Sequence, residues 1–247
     1  MRVVRTVLLA AALVLAACSE KPGTTDTGGT PTPSASAAHF PAFWPVSALD
    51  AAEAMQAQVD GGADPWRLDP AKVAAEFGRA RFDWAVQPGT GDVTGSEADG
   101  WKATVTFRPL IGEAEPPDHP GPLHTAELIG LRGAAKPVWF VASLRSESIV
   151  LDAPAQDALV GSPIQVTGRG TAYAGTIVTA VADDSGRDLG PESPGNVLQG
   201  GAMEPAPFSG ALAFADPEAA AGTLTLVGET GAGPTPSATV IRVRFRP

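Results

Sequence analysis

Three arginines stand at alternate positions near the C-terminus, Arg242, Arg244 and Arg246, interleaved with Ile241, Val243 and Phe245. Residues two apart on a strand share a face and lie ~7 Å from each other, so the spacing predicts a row of three guanidinium groups opposite an apolar face. Such a row suits an anionic partner, whether a wall polymer, lipid headgroups or an acidic protein, because guanidinium binds carboxylate and phosphate through a fork of N–H groups. The plainer reading is a solvent-facing strand whose arginines pair with nearby carboxylates or guard an edge. Trp139 is the aromatic candidate. It adjoins Phe140, and neighbours on a strand face opposite ways, so one ring there is expected at the surface, where it could stack on sugar or peptide.

Glu113, Glu115, Asp118, His119 and His124 gather in or beside a proline-rich loop. Carboxylates with imidazoles can hold a transition metal, but the prolines at 116, 117, 120 and 122 impose no ligand geometry, and a solvated loop is the reading adopted. Asp183, Asp184 and Asp188 lack EF-hand spacing, and Asp-Asp-Ser-Gly is an ordinary turn. Gly168-Arg169-Gly170 opens like a dinucleotide fingerprint, but Tyr173 occupies the place of the third glycine. No Gly-x-Ser-x-Gly elbow, phosphate loop or paired-cysteine motif occurs. No catalytic residue, metal ligand or cofactor is therefore assigned. The alternative is an envelope hydrolase, or an accessory subunit of one, with its site in the first folded segment near Trp139, His119 and His124.

The chain has one cysteine, Cys18, so no internal disulfide forms. Arg2 and Arg5 precede a short apolar run that ends in Leu15-Ala16-Ala17-Cys18. The run falls well short of the ~20 residues a permanent transmembrane helix needs, so residues 1–17 are read as a removed signal. This ending resembles that of bacterial lipoprotein signals. The resemblance implies cleavage before Cys18, acylation of its thiol by chains such as palmitate, and an extracytoplasmic protein anchored to the cell membrane. Each buried methylene adds ~0.8 kcal/mol of membrane affinity, so two or three chains hold firmly.

The net charge of −10 becomes more negative by two when Arg2 and Arg5 leave. The acidic excess, shared by both halves, argues against nucleic acid as a partner, since binding to phosphates relies on clustered Lys and Arg. An envelope protein or wall polymer fits the setting better. Residues 18–38 carry the lipidated cysteine and a Ser/Thr/Pro/Gly/Ala linker that buries too little apolar area to fold, expected to act as a tether spanning ~25 Å.

Residues 39–147 are read as an α+β module. Asp69-Pro70 sets an N-cap and a proline at the first helical position, and Val73, Ala74 and Phe77 follow at helical spacing, predicting a helix over Pro70 to Phe82. Ser47 to Val59 predicts another, with Ser47 as cap and Asp50 completing a capping box. Trp101, Ala103, Val105 and Phe107 alternate with polar residues as in a half-buried strand, and Leu123 to Leu131 and Val138 to Leu144 predict two more.

From Ser148 onward only strands are expected: 148–152, 163–169, 175–183, 208–214, 222–229 and 238–246. Short strands separated by turns, with a hairpin signal at Asp183 to Gly186, match an immunoglobulin-like β-sandwich without its disulfide. Gly161 to Gly170, Tyr173 to Thr176, Asp183 to Gly186 and Ile241 to Phe245 together resemble the immunoglobulin-like domain associated with bacterial spore germination. That resemblance covers 148–247 and implies an extracytoplasmic binding or scaffolding module with no catalytic role. Met203 to Ala206 stand where the family pattern carries an aromatic before Pro207-Phe208.

Overall fold

Asp69 caps its helix as its position dictates: its carboxylate accepts the backbone N–H groups of Ala71 and Lys72 at 3.0 and 3.4 Å. The computed structural model describes residues 39–86, 89–110, 121–190, 197–228 and 237–247, and residues 38–247 cluster as one compact unit. Its helices are α1 (Leu49–Asp60) and α2 (Pro70–Phe82). The first strands are β1 (Ala85–Val86), β2 (Thr90–Ser96), β3 (Gly100–Phe107), β4 (Pro109–Leu110), β5 (His124–Gly130) and β6 (Trp139–Ser146). Then follow β7 (Ile149–Ala153), β8 (Ala158–Val160), β9 (Ile164–Gly170), β10 (Thr176–Asp183), β11 (Val197–Gln199), β12 (Ala206–Leu212), β13 (Ala221–Gly228) and β14 (Ala238–Phe245). No helix among the described residues is long and apolar enough to cross a membrane.

The expected α1 is present, but Ser47 does not cap it. Ala48 holds the N-cap position without a side-chain hydrogen bond, and the Asp50 carboxylate accepts the N–H of Ala51. The Ser47 carbonyl accepts a hydrogen bond from Arg242, 195 residues away.

A nine-stranded sheet runs β11-β10-β13-β14-β6-β5-β3-β2, with β8 parallel to β14, and β12-β9-β7 form a second sheet. The second sheet closes over β10, β13 and β14 around a core of Ile164, Val166, Phe208, Leu224, Leu226 and Ile241, giving an immunoglobulin-like sandwich. In the N-terminal part α2 covers one face of β3, β5 and β6 through Val73, Ala74 and Phe77, while α1 covers the opposite face of β5 and β6 through Ala52 and Val59, leaving that side of β3 exposed.

The large sheet crosses residue 148. Ala238 and Val240 of β14 belong to the N-terminal core, whereas Ile241, Val243 and Phe245 belong to the sandwich core. Each core thus depends on a strand drawn from the end of the chain.

Candidate binding surface

On β14 the face carrying Arg242 and Arg244 also carries Val240, since residues of like parity share a side. Val240 packs into the N-terminal core, and the cover continues as far as Arg242. Arg242 is only 1% exposed. Its two terminal nitrogens grip both carboxylate oxygens of Asp184, Nη1–Oδ1 3.0 Å and Nη2–Oδ2 2.5 Å. The expected solvent-facing row is therefore corrected: the N-terminal segment near Ser47 and the hairpin turn bearing Asp184 cover its first member. Arg244 and Arg246 remain exposed, with Arg244 Nε donating to the carbonyl of Asp157 at 2.9 Å.

Asp183 and Asp188 serve the turn and its flanks. Asp183 Oδ1 accepts from the amides of Ser185 and Arg187 and from the Ser185 hydroxyl, and Oδ2 accepts from the amide of Glu218. Burial by itself would raise the pKa of Asp183, but these hydrogen bonds outweigh it and hold the carboxylate below its ordinary value. Asp188 accepts from Gly190 N–H at 2.9 Å.

His124 is fully buried between Trp84 and Phe107, with ring centroids 4.6 and 5.8 Å away. Its Nε2 accepts the Ala238 N–H, which fixes the proton on Nδ1, from where it is donated to the Pro122 carbonyl at 3.0 Å. Burial pushes its pKa down to about 4, against the opposing pull of the Pro122 hydrogen bond. A neutral imidazole with both nitrogens engaged inside a core has no access to a substrate. Glu113, Glu115, Asp118 and His119 lie outside the described residues, as do Cys18 and the expected signal and tether. Among the described residues no three His, Cys, Asp or Glu side chains converge as a metal site.

Trp139 and Phe140 are both buried, at 2% and 0% exposure, which corrects the expectation that one ring of the pair is free. The reason is the double cover of β6: Trp139 faces the α2 layer and Phe140 the α1 layer. Trp139 nevertheless takes part in a surface feature. Gly95, Trp101, Gly130 and Trp139 lie directly opposite one another across β2, β3, β5 and β6, so they share one face. Glycine alternates with tryptophan along this row, and Gly130 leaves room for Pro137 and the Trp101 stem. A Cβ on Gly130 would stand 2.4 Å from Pro137 Cβ and 3.0 Å from Trp101 Cβ.

Beside this row opens a cleft of about 300 Å³ lined by Leu68, Pro70, Trp101, Pro137 and the edge of Trp139. Val93 of β2, 48% exposed, and the exposed Lys136 complete it. Both indole N–H groups are spent internally, Trp101 on the Ala134 carbonyl at 2.8 Å and Trp139 on Leu68 at 3.2 Å. The cleft therefore offers ring and aliphatic surface plus one cation, which suits binding and supplies no acid–base pair. Sequence reasoning placed Trp101 in the core and passed over Val93 and Lys136. The Thr90–Ser96 stretch has a single large apolar residue, so no alternation marked it as a strand.

A second cleft, about 330 Å³, lies between the ends of β6, β7 and β14. Its Thr239 hydroxyl donates to Ile149 O and accepts from Ser146 N, and Gln156 is likewise engaged.

Residues 148–231 match the family model of the immunoglobulin-like domain of bacterial spore germination. The match bears out the resemblance read from the residues, and β14 completes the sandwich beyond its end. No curated protein and no solved structure matches the chain at a significant level.

Proposed function

We propose that this protein is a lipoprotein anchored to the outer face of the cell membrane through Cys18, serving as a binding or scaffolding component of the bacterial envelope in sporulation or germination. The observation that carries this reading is the pairing of a germination-type immunoglobulin-like domain with a sequence that opens on Leu15-Ala16-Ala17-Cys18 behind a short apolar run. The cleft lined by aliphatic side chains and half-buried Trp101 supports binding over hydrolysis, as does the burial of His124, around which the hydrolase reading was built.

The anchor is tested by Cys18→Ser in the native host. The wild-type chain partitions into the detergent phase and begins at an acylated Cys18 by mass spectrometry, whereas the variant is released or unprocessed. Unchanged partitioning of the variant overturns the anchor. The binding role is tested by crosslinking on intact cells, where reproducible capture of envelope components supports it and their absence counts against it.

A further inference from the structure

We propose that the free edge of β2, with the cleft beside it, is a docking site for an extended acidic–apolar peptide that joins the sheet as a further strand. β2 ends the strand order: its seven residues pair with β3 in unbroken register, and no strand among the described residues lies on its other side. Alternate residues of such an edge turn their N–H and C=O groups outward, a template that an extended peptide completes. Natural edges are commonly guarded by proline, lysine or a bulge. Thr90–Ser96 has none of these, and Asp92 is its only charge.

The side chains argue for the same occupant. Gly91, Val93 and Gly95 stand opposite Val105, Ala103 and Trp101, so this side of β2 faces the cleft. A strand added to the edge places every second side chain on that side. Half-exposed Val93 offers an apolar neighbour. Lys136 has no ion-pair partner among the described residues and would meet a carboxylate on the peptide.

The proposal rests on the reading of the chain as a binding protein and is independent of the lipid anchor. The test is selection from a displayed library of random heptapeptides on the full chain, followed by hydrogen exchange on the complex with an enriched peptide. Expected are sequences that alternate apolar residues with others and carry Asp or Glu, with exchange at the Thr90–Ser96 amides slowed about tenfold or more. Lys136→Glu should weaken the acidic peptides about tenfold and favour counterparts in which Lys replaces the acid. No enrichment, protection confined to another surface, or affinity indifferent to Lys136→Glu overturns the proposal. Concentration-dependent protection of β2 in the free protein would assign the edge to a second copy and overturn it too. If selection fails while crosslinking on cells still captures envelope partners, the edge site falls and the binding reading stands.

Discussion

Gln156 bridges two strands that are parting: its Oε1 accepts the backbone N–H of Arg242 at 3.1 Å, while its Nε2 donates to the carbonyl of Ala142 at 2.8 Å. β14 pairs with β6 only through Val240 and Leu144, then turns to β8. The amide fills the gap between these two pairings and satisfies backbone groups that would otherwise be stranded. Gln156→Ala should therefore cost about 1–3 kcal/mol, the penalty for unpaired buried polar groups. Urea unfolding measures the loss, and faster hydrogen exchange at the Arg242 amide locates it.

The Arg242–Asp184 pair makes a sharper prediction. Asp184→Ala leaves a guanidinium buried without its counter-charge and should cost about 3–5 kcal/mol. Arg242→Met combined with Asp184→Leu removes both charges and should recover most of that loss, because the desolvation cost disappears with the ions. A double variant as unstable as Asp184→Ala would contradict this account.

His124 gives the protein an acid-sensitive seam. Its folded pKa, about 4, lies below the ordinary 6.5, so the unfolded chain takes up the proton first. Its contribution is complete above pH 6.5 and is lost as pH falls toward about 4, with a total near 3 kcal/mol. The Arg108 and Glu147 side chains flank it, paired at 3.0 Å, and Glu147 is held below its ordinary pKa, chiefly by the Leu123 amide. The loss of stability that falls above the carboxylate range is thus assigned to the imidazole. His124→Gln should flatten the dependence between pH 5 and 7, followed by chemical denaturation at each pH.

Gly130→Ala should disturb the cleft from below. The new methyl would press on Pro137 and on the Trp101 stem, costing about 1–3 kcal/mol as overpacking and shifting tryptophan fluorescence. An unchanged emission spectrum would show that the glycine does not set the position of the Trp101 ring.

The residues that announce themselves in the sequence are those whose role is local. Asp69-Pro70 dictated the start of α2, the alternation Trp101, Ala103, Val105, Phe107 dictated β3, and the succession of short strands after Ser148 sufficed for the sandwich and its germination-type resemblance. β2 was illegible, because a glycine-rich edge strand buries almost nothing and carries no period.

What the sequence determined by itself was periodicity: which residues share a face of an element. It could not determine what covers that face. Arg242 and Arg244 have the same parity on one strand, yet one is buried and the other exposed, because the turn at Asp184 and the chain near Ser47 reach only the first. Trp139 and Phe140 point to opposite sides, yet both are buried, because α1 and α2 cover a sheet that local spacing could assign only one wet face. Side-chain direction follows from the geometry of two adjacent peptide units, whereas burial is decided by segments distant in sequence, and only the folded chain brings those together.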